Sequence, residues 1–564
     1  MISKDTKTLA AKIYCRLKDV RKDLSSTLVG VDKWQILRII FFIVFFLGSI
    51  ALRFVMSFPV DRNSDDANNF LAGLEMAAGN WRLHGWVLAP DNFFTTDIFG
   101  EALLIKIFGV HPYLMQLLSA IIWSLVIFVG IILSSKKTRK SVVAIIAITT
   151  MLALTIPAGQ GVMSFTTRVA SHAFSILLGL LTFWLIARMT ERQYRIFSLQ
   201  SLCLVLLVFA GSFADPIYIV MSCLPALVVF FVRPIKFRSN RNLIIACMLI
   251  GILSARYCLK GVAIHGGFDS SSLTISFAGS SEIIDRTRFA FLSIIKLFGA
   301  DFSGMVINKS FYNGPYIYLL RLPFFLAFIL VVIDAGLKFL RFMYFWPSEI
   351  KEDLETDFLD QVLFLSVVLS MSAVIVTTAS SDPTAVRYFI PSFVTGAILV
   401  TRRYSSLPIF SLYTATAFVG SLIFVVHVIH SGPKKAIVAN ESIMALNGTL
   451  RSLDLHHGYA GYWQSSILSA VSKRDAQVLA LVGGGGGYLQ VFPWFANLDW
   501  YRDAATNWRG KIFFIARDSN SDGLDLSQNL VIEQFGSPDQ IVHSGPFLID
   551  IYDNQHGTMK LPMP

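Results

Sequence analysis

Long apolar runs recur along this chain, and they constrain its fold more than any other feature. A helix needs about 20 consecutive apolar residues to cross a hydrocarbon core, and shorter runs are tolerated within helix bundles. With 54% hydrophobic and only 15% charged residues, the chain is too apolar for an ordinary soluble protein. We therefore predict a polytopic α-helical membrane protein with about 11 transmembrane helices. The predicted spans lie near 34–58, 113–134, 141–157, 172–187, 198–213, 217–232, 242–259, 316–338, 362–379, 389–401 and 407–429.

The basic residues indicate which side of the membrane each loop occupies. A net charge of +11 would point to nucleic acid in a soluble protein, but here Lys and Arg cluster at the ends of apolar runs, as the positive-inside rule describes. The N-terminal segment and the stretches SSKKTRK, RMTERQYR, RPIKFRSNR and RRY all fall on one side. That side is predicted to be cytoplasmic, and 59–112, 260–315 and the chain after about residue 430 are predicted to lie outside.

The composition changes after His430, which predicts a separate domain. Turn residues and charges replace the long apolar runs, and short β-like runs appear in VLALVG, KIFFIA, NLVIEQF and FLIDIYD. About 130 residues can enclose one hydrophobic core. The predicted organisation is a cytoplasmic segment at 1–33, a transmembrane domain at 34–430 and an extracytoplasmic α/β domain at 431–564.

The predicted first external loop, 59–112, contains seven acids and three bases, and near its start stands the adjacent pair Asp65 and Asp66. Amphipathic stretches after the pair and in IFGEALLIKIFG predict interfacial helices. The pair would then stand at or just before a helix N-terminus, where exposed N–H groups favour acids. Taken alone, the residues leave two interpretations open, a solvated helix cap and a pair held for catalysis.

Several motifs, in their order and membrane side, resemble the GT-C superfamily of membrane glycosyltransferases. This group contains protein O-mannosyltransferases and the aminoarabinose and lipopolysaccharide-core sugar transferases. Like them, the chain places an acidic pair just after its first span. Further similar stretches are FFTTDIFGEALLIKIFGVHPYLMQLLSAIIW before the second span, TRVASHAFSILLGLL, the Asp-Pro turn in GSFADPIYIV, the Arg-Tyr-x-x-Pro segment in VRYFIPSF, and HHGYAGYWQSSILSAVSKRDAQV opening the tail. The likeness spans nearly the whole chain, although each motif alone is loose.

The resemblance implies a GT-C-like enzyme that transfers a sugar from a polyprenyl-phosphate donor to an acceptor hydroxyl with inversion. In a bacterium, it would work at the periplasmic face of the inner membrane. Asp65 matches the first acid of the family's pair and is the expected general base, with Asp66 as the fallback. Arg387 and Arg168 are the expected phosphate ligands, because guanidinium binds phosphate in a bidentate manner. A glycolipid, a cell-envelope glycan and a protein all remain open as acceptors.

Asp97, His172 and Tyr388 complete the predicted substrate-binding set, and each has a structural alternative. Asp97 follows two threonines and can be a helix cap. His172 can be a hydrogen-bonded residue within the bundle, and Arg387 beside Tyr388 can be an interfacial anchor.

Two further ionisable residues have a structural and a functional interpretation. Asp215 precedes a proline, so it is first a turn former and second a substrate group. Arg321 stands inside an apolar run, where a charge is costly, so it is either functional or extended towards the outer face.

No cofactor or catalytic metal is predicted. The first external loop lacks the Asp-x-Asp motif of metal-dependent oligosaccharyltransferases. The tail segment DSNSDGLDLSQN begins like a calcium loop, but Asn529 stands where a bidentate Glu is expected. An ordinary polar turn is the preferred interpretation of that segment.

A transporter or flippase is the main alternative function. Transporters tend to show internal repeats and ionisable residues near the membrane midplane. This sequence shows no internal repeat, and many of its acids cluster in the 59–112 loop. That distribution favours an enzyme.

The topology prediction is tested by labelling single cysteines at Ser135 and Ser519 with a membrane-impermeant maleimide, after the five native cysteines have been replaced by serine. The two sites should react from opposite sides, because Ser135 begins a basic loop and Ser519 lies in the tail. Reaction of both sites from the same side would contradict the predicted span arrangement.

Overall fold

The computed structural model divides the chain into two compact units, Met1–Leu52 and Arg53–Pro564. The site described below lies entirely in the second unit. The residues that the structure describes are 33–135, 145, 147–151, 166–168, 172–191, 194, 198–232, 238–271, 275–302, 316–344, 357–378, 383–405, 407–431, 441–484, 487–517 and 524–557.

The described residues before residue 432 are mostly helical. Their helices are α1 Lys33–Met56, α2 Ser64–Ala78, α3 Phe99–Phe108, α4 Leu114–Ser134, α5 Ala173–Glu191, α6 Leu199–Ala214, α7 Pro216–Val232, α8 Arg238–Ile264, α9 Ser280–Leu297, α10 Tyr316–Tyr344, α11 Phe358–Val376, α12 Ile390–Tyr404 and α13 Pro408–Ser431. A π-helical turn, Phe94–Ile98, precedes α3, and a 3-10 helix, Pro383–Phe389, precedes α12.

Five of these helices, α4, α5, α8, α10 and α11, are long and apolar enough to cross a membrane. Shorter apolar stretches occur in α1, α6, α7 and α13. The number of 11 spans stays a prediction, and the predicted span 141–157 lies largely outside the described residues.

Helices α5 to α8 enclose one apolar core. Helix α8 lies so close to α6 that a Cβ atom at Gly251 would come within 2.7 Å of Val208. A glycine at this position lets the two backbones approach, as is common in membrane bundles. The core side chains include Leu178, Ile186, Met189, Leu204, Val208, Tyr218, Phe230, Ile244 and Met248.

Two buried arginines link helices within the bundle. Arg402 of α12 places its Nε 2.5 Å from a carboxylate oxygen of Asp360 in α11 and also donates to the carbonyl oxygen of Leu133 in α4. Arg321 of α10 donates to the hydroxyl of Ser421 in α13. Since a buried charge is tolerated only when it is paired and hydrogen-bonded, these arginines fix the relative positions of their helices.

Both amphipathic stretches of the 59–112 segment are helical, as α2 and α3. The helices touch at Gly73, where a Cβ atom would come within 2.7 Å of the Glu101 Cβ. The outer side of α3 exposes apolar side chains, namely Phe99, Leu103, Ile107 and Phe108. This exposure is what an interfacial helix requires, and the location of α3 at the membrane surface stays a prediction.

A six-stranded sheet forms the C-terminal domain, in agreement with the α/β prediction. Its strand order is β5-β4-β3-β7-β9-β8, and β3 is parallel to both of its neighbours, whereas the other pairs are antiparallel. The strands are β3 His457–Ala460, β4 Gln477–Gly483, β5 Leu489–Val491, β7 Lys511–Arg517, β8 Gln540–Ser544 and β9 Phe547–Asp553, and the helices are α14 Glu441–Ser452, α15 Tyr462–Val471, α16 Leu498–Asn507 and α17 Gln528–Phe535.

One of the four β-like runs was interpreted wrongly. NLVIEQF belongs to helix α17 and not to a strand. Val531 and Phe535 are four residues apart, so both fall on one helix face, where they pack against the domain core. This tertiary burial outweighs the β propensity of the branched side chains.

A second, small sheet joins three distant parts of the chain. Strand β1 Trp86–Leu88 pairs in parallel with β2 Asp269–Ser270 and antiparallel with β6 Ala496–Asn497. All three strands come from segments predicted to lie outside the membrane. Their pairing brings the 59–112 segment against the C-terminal domain.

Candidate active site

The acid pair lies in the first turn of α2. Asn63 caps this helix, because its side chain accepts a hydrogen bond from the backbone N–H of Asp66 at 3.3 Å. The interpretation of the pair as the helix cap is therefore wrong. Successive helix residues point about 100° apart, so Asp65 and Asp66 meet different partners.

Asp65 is the accessible member of the pair. Its Oδ1 accepts a hydrogen bond from the Tyr462 hydroxyl at 2.5 Å, and its Oδ2 lies 3.7 Å from Nη1 of Arg387. The Asp65 side chain is 27% exposed and that of Arg387 is 31% exposed. A carboxylate and a guanidinium are thus adjacent and open to an incoming molecule.

Asp66 is buried between two guanidinium groups. Its carboxylate oxygens lie 3.9 Å from Nη1 of Arg62 and 3.4 Å from Nε of Arg168. Arg62 also donates to the carbonyl oxygen of Thr167 at 3.1 Å, and Arg168 donates to the carbonyl oxygen of Asp61. These contacts tie the start of α2 to the 166–168 segment, so Asp66 and Arg168 hold the backbone together.

His172 forms the centre of a second polar group. It is buried, its backbone is left-handed with φ of 63°, and its Nδ1 lies 2.8 Å from Oδ2 of Asp215. The other ring nitrogen, Nε2, lies 3.9 Å from Oδ2 of Asp91. Burial raises the pKa of Asp91 to about 6, even though His172 and Arg387 act to lower it.

Arg387 and Tyr388 connect the two groups. The Arg387 guanidinium lies 5.2 Å from the centre of the Tyr388 ring, and that ring is 5.4 Å from the His172 ring. Although burial acts to lower the pKa of Arg387, the neighbouring Tyr388 and Asp65 raise it above its ordinary value. The guanidinium therefore stays charged, between Asp65 on one side and the His172 group on the other.

Asp97 lies apart from these contacts. It is in the π-helical turn before α3, it is buried, and neither carboxylate oxygen has a hydrogen-bond partner among the described residues. Burial raises its pKa well above the ordinary value, although the neighbouring Thr96 and the His172 charge oppose this. Asp97 is thus favoured as a neutral acid.

The structure gathers most of the residues predicted from sequence, but not all of its participants were predicted. Asp65, Arg387, Tyr388 and His172 form one continuous group, whereas Arg168 joins it only through Asp66. Sequence reasoning missed three polar partners. They are Arg62, Asp91 and Tyr462.

Of these, Arg62 had a local signal, because it stands four residues before Asp66. Asp91 had none beyond being an acid in the 59–112 segment. Tyr462 stands in the stretch HHGYAGYWQSSILSAVSKRDAQV that resembles the family, but no local pattern indicates its contact with Asp65, because 397 residues separate the two.

Metal binding has no support within the described ranges, where no group of three or more His, Cys, Asp or Glu residues is arranged to hold a metal ion. The calcium-like segment around Asp518 and Asp522 lies outside the described residues, so that hypothesis is untested.

Comparison with known proteins places the fold. No family model matches the chain, and no curated protein matches it. The crystal structure of ArnT from Cupriavidus metallidurans bound to undecaprenyl phosphate matches with a TM-score of 0.53 at 10% identity, over 90% of this chain and 98% of that one. The chain shares the fold of this ArnT.

The apo structure of the same ArnT gives a TM-score of 0.44 at 12% identity, over 91% of this chain and 98% of that one. The match to the undecaprenyl phosphate complex confirms the predicted architecture at the level of the fold, as a helical part with a C-terminal sheet domain. At this identity, the roles of individual residues rest on their geometry in this chain.

The raised pKa of Asp97 predicts how folding stability depends on pH. The unfolded chain loses this proton at the ordinary pKa, whereas the folded chain retains it, so a rise in pH through that interval favours unfolding. Asp97→Asn cannot ionise. Its melting temperature in detergent, relative to wild type, should therefore increase as the pH rises above about 4, the ordinary pKa of an aspartate.

The matched control is Asp503→Asn, at an exposed position of α16. Its melting temperature relative to wild type should stay level over the same pH interval. A level difference for Asp97→Asn as well would contradict a neutral buried acid.

Proposed function

We propose that this protein is a membrane glycosyltransferase that moves a sugar from a polyprenyl-phosphate donor to an acceptor hydroxyl, with inversion at the anomeric carbon. One observation carries the proposal: the open carboxylate of Asp65 stands 3.7 Å from the open guanidinium of Arg387. The reaction needs a base and a phosphate ligand side by side. The fold supports the donor class, since the ArnT that matches it was crystallised with undecaprenyl phosphate.

Asp65 is proposed as the general base. Its carboxylate takes the proton of the acceptor hydroxyl while the acceptor oxygen forms a bond to the anomeric carbon. The bond from that carbon to the phosphate oxygen breaks, and its electron pair leaves with the lipid phosphate. Partial exposure of Asp65 gives the acceptor access to the carboxylate.

Arg387 is proposed as the ligand of the donor phosphate. A guanidinium can donate two parallel hydrogen bonds to phosphate, and its charge stabilises the negative charge that develops as the phosphate leaves. Without donor, this charge is balanced by Asp65. A bound phosphate would compete with Asp65 for Arg387 and so release the carboxylate for the acceptor.

Asp66 and Arg168 are proposed to support the site without touching the reacting atoms. Both are engaged with each other and with the backbone around Arg62, and the Asp66 side chain is only 5% exposed. Asp66 is thus poorly placed to take a proton from an acceptor.

His172, Tyr388 and Asp91 are proposed to bind sugar hydroxyls. The contact with Asp215 fixes the orientation of the His172 ring, and Asp91 is a quarter exposed beside Arg387. Carboxylate, imidazole and phenol groups supply both donors and acceptors for hydroxyl recognition. Asp97 is the weaker substrate-binding candidate, because it lies apart from the contacts that join Asp65, Arg387 and His172.

The reaction is proposed to occur outside the cytoplasm, at the periplasmic face of a bacterial inner membrane. The support is the distribution of Lys and Arg at the ends of the apolar runs. The acidic 59–112 segment and the C-terminal domain, which meet in the small sheet, would both lie on that side.

Replacement of the two acids should separate catalysis from folding. Asp65→Asn should reduce sugar transfer by about a hundred- to ten-thousand-fold, the usual effect of removing a general base, with little change in melting temperature. Asp66→Asn should reduce transfer less and lower the melting temperature, because it leaves the buried guanidinium of Arg62 and the partly exposed one of Arg168 without their carboxylate.

The measurement is transfer by purified protein with a panel of labelled polyprenyl-phosphate sugars and membrane glycolipids, alongside melting curves. Undiminished transfer by Asp65→Asn would rule out Asp65 as the base. If wild type transferred from no donor in the panel, a transporter or flippase would become the preferred function.

Replacement of Arg387 should act on donor binding. Arg387→Gln should raise KM for the donor by about tenfold or more, because a charged hydrogen bond to phosphate is lost. Arg387→Lys should fall between this variant and wild type, because it retains the charge without the bidentate geometry.

The matched control is Arg286→Gln, which removes an arginine of α9 whose contacts are Glu282 and the carbonyl oxygen of Thr377. This control should leave the donor KM unchanged. An equal rise in KM for both glutamine variants would indicate a general loss of structure.

A further inference from the structure

We infer that Tyr462 of the C-terminal domain is a positioning residue for the catalytic carboxylate of Asp65, so that the active site is completed by the sheet domain. This inference rests on the proposed function. It assigns a chemical task to a part of the chain outside the membrane helices.

Tyr462 reaches the site because of where its strand ends. Strand β3 lies in the middle of the sheet between two parallel neighbours, and α15 begins directly after it at Tyr462. Gly461 makes this turn possible, since a Cβ atom there would lie 2.5 Å from the carbonyl oxygen of Leu524. Loops at the carboxyl ends of parallel strands commonly carry functional side chains.

Three hydrogen bonds join Tyr462 to the start of α2. The Tyr462 hydroxyl donates to Asp65 at 2.5 Å, and Asn68 donates to the same hydroxyl at 3.4 Å. The hydroxyl of Ser64 donates to the backbone carbonyl oxygen of Tyr462 at 2.5 Å. Both the backbone and the side chain of Tyr462 are therefore held against the helix that carries the base.

A second contact along the same two helices fixes their alignment. Nη1 of Arg474 lies 2.7 Å from a carboxylate oxygen of Glu75, near the other end of α2. Helix α15 and the turn that follows it thus contact α2 at both ends.

The Tyr462 ring is itself held in place. It is 4% exposed and packs edge-on against Trp463 and Phe492, so its hydroxyl has little freedom to move.

The hydroxyl suits this task because it stays protonated. Burial and the charge of Asp65 raise the pKa of Tyr462 well above its ordinary value, so the phenol acts only as a donor to the carboxylate. It occupies Oδ1 of Asp65 and leaves Oδ2 towards Arg387 and an incoming acceptor. Such a bond fixes the orientation of the carboxylate and the oxygen that receives the proton.

The test is Tyr462→Phe, which removes the hydroxyl and keeps the ring. With a donor that wild type uses, kcat should fall by about ten- to a hundredfold, the expected effect of losing a hydrogen bond to a charged group. The donor KM should stay unchanged, because the phosphate ligand Arg387 is untouched. This pattern is the reverse of that expected for Arg387→Gln.

Tyr501→Phe is the matched control. The Tyr501 hydroxyl is buried in the same domain and donates to the carbonyl oxygen of Ala480 at 2.8 Å, so the same group and the same kind of bond are removed. This variant should keep the wild-type kcat even if its melting temperature falls.

Asn68→Ala provides a second probe of the site, because it removes the donor that holds the Tyr462 hydroxyl. This variant should lower kcat by a smaller factor than Tyr462→Phe.

Melting temperatures of Tyr462→Phe, Asp65→Ala and the double variant report the bond without any enzymatic assay, because alanine leaves no acceptor for the Tyr462 hydroxyl. The two changes should be non-additive if the side chains are bonded. Normal kcat in Tyr462→Phe, or additive changes in melting temperature, would overturn the inference and leave the proposed function standing. Absence of transfer by wild type from every donor in the panel would overturn the proposed function, and the role of Tyr462 with it.

Discussion

Two adjacent carboxylates at the start of α2 impose the constraint on which the site depends. Neighbouring negative charges repel, and partial burial strengthens the repulsion, so each carboxylate needs its own donors. The helix turns Asp66 towards Arg62 and Arg168, and it turns Asp65 towards Arg387 and Tyr462. Three segments that are far from α2 in the chain, around Arg168, Arg387 and Tyr462, converge on this point because they supply those donors.

The difference in solvent access divides the pair by function. Asp66 is surrounded by cations and backbone groups, so its charge is used to hold the 166–168 segment against α2. Asp65 keeps part of its surface open beside an open guanidinium. The two aspartates are chemically identical. Asp66 is nevertheless structural and Asp65 is suited to proton transfer, because each one meets a different set of partners.

The C-terminal domain is held against the helical part by polar contacts and by a small shared sheet. Strand β1 pairs with β6 of the C-terminal domain, and α15 contacts α2 at both ends through Tyr462 and Arg474. An isolated peripheral domain would not need such contacts around an acid pair. The arrangement gives the domain a direct influence on the geometry of Asp65.

The sequence by itself determined the mostly helical class with a C-terminal sheet domain, and it singled out the acid pair as a candidate, because hydrophobic periodicity and charge are local properties. It also placed three of four β-like runs in strands, whereas NLVIEQF became helix α17 when its apolar residues found a helical face against the core. Only the tertiary structure decided the partners. Tyr462 stands 397 residues from Asp65, and no local pattern specifies a hydrogen bond that forms only when a sheet domain closes over a distant helix.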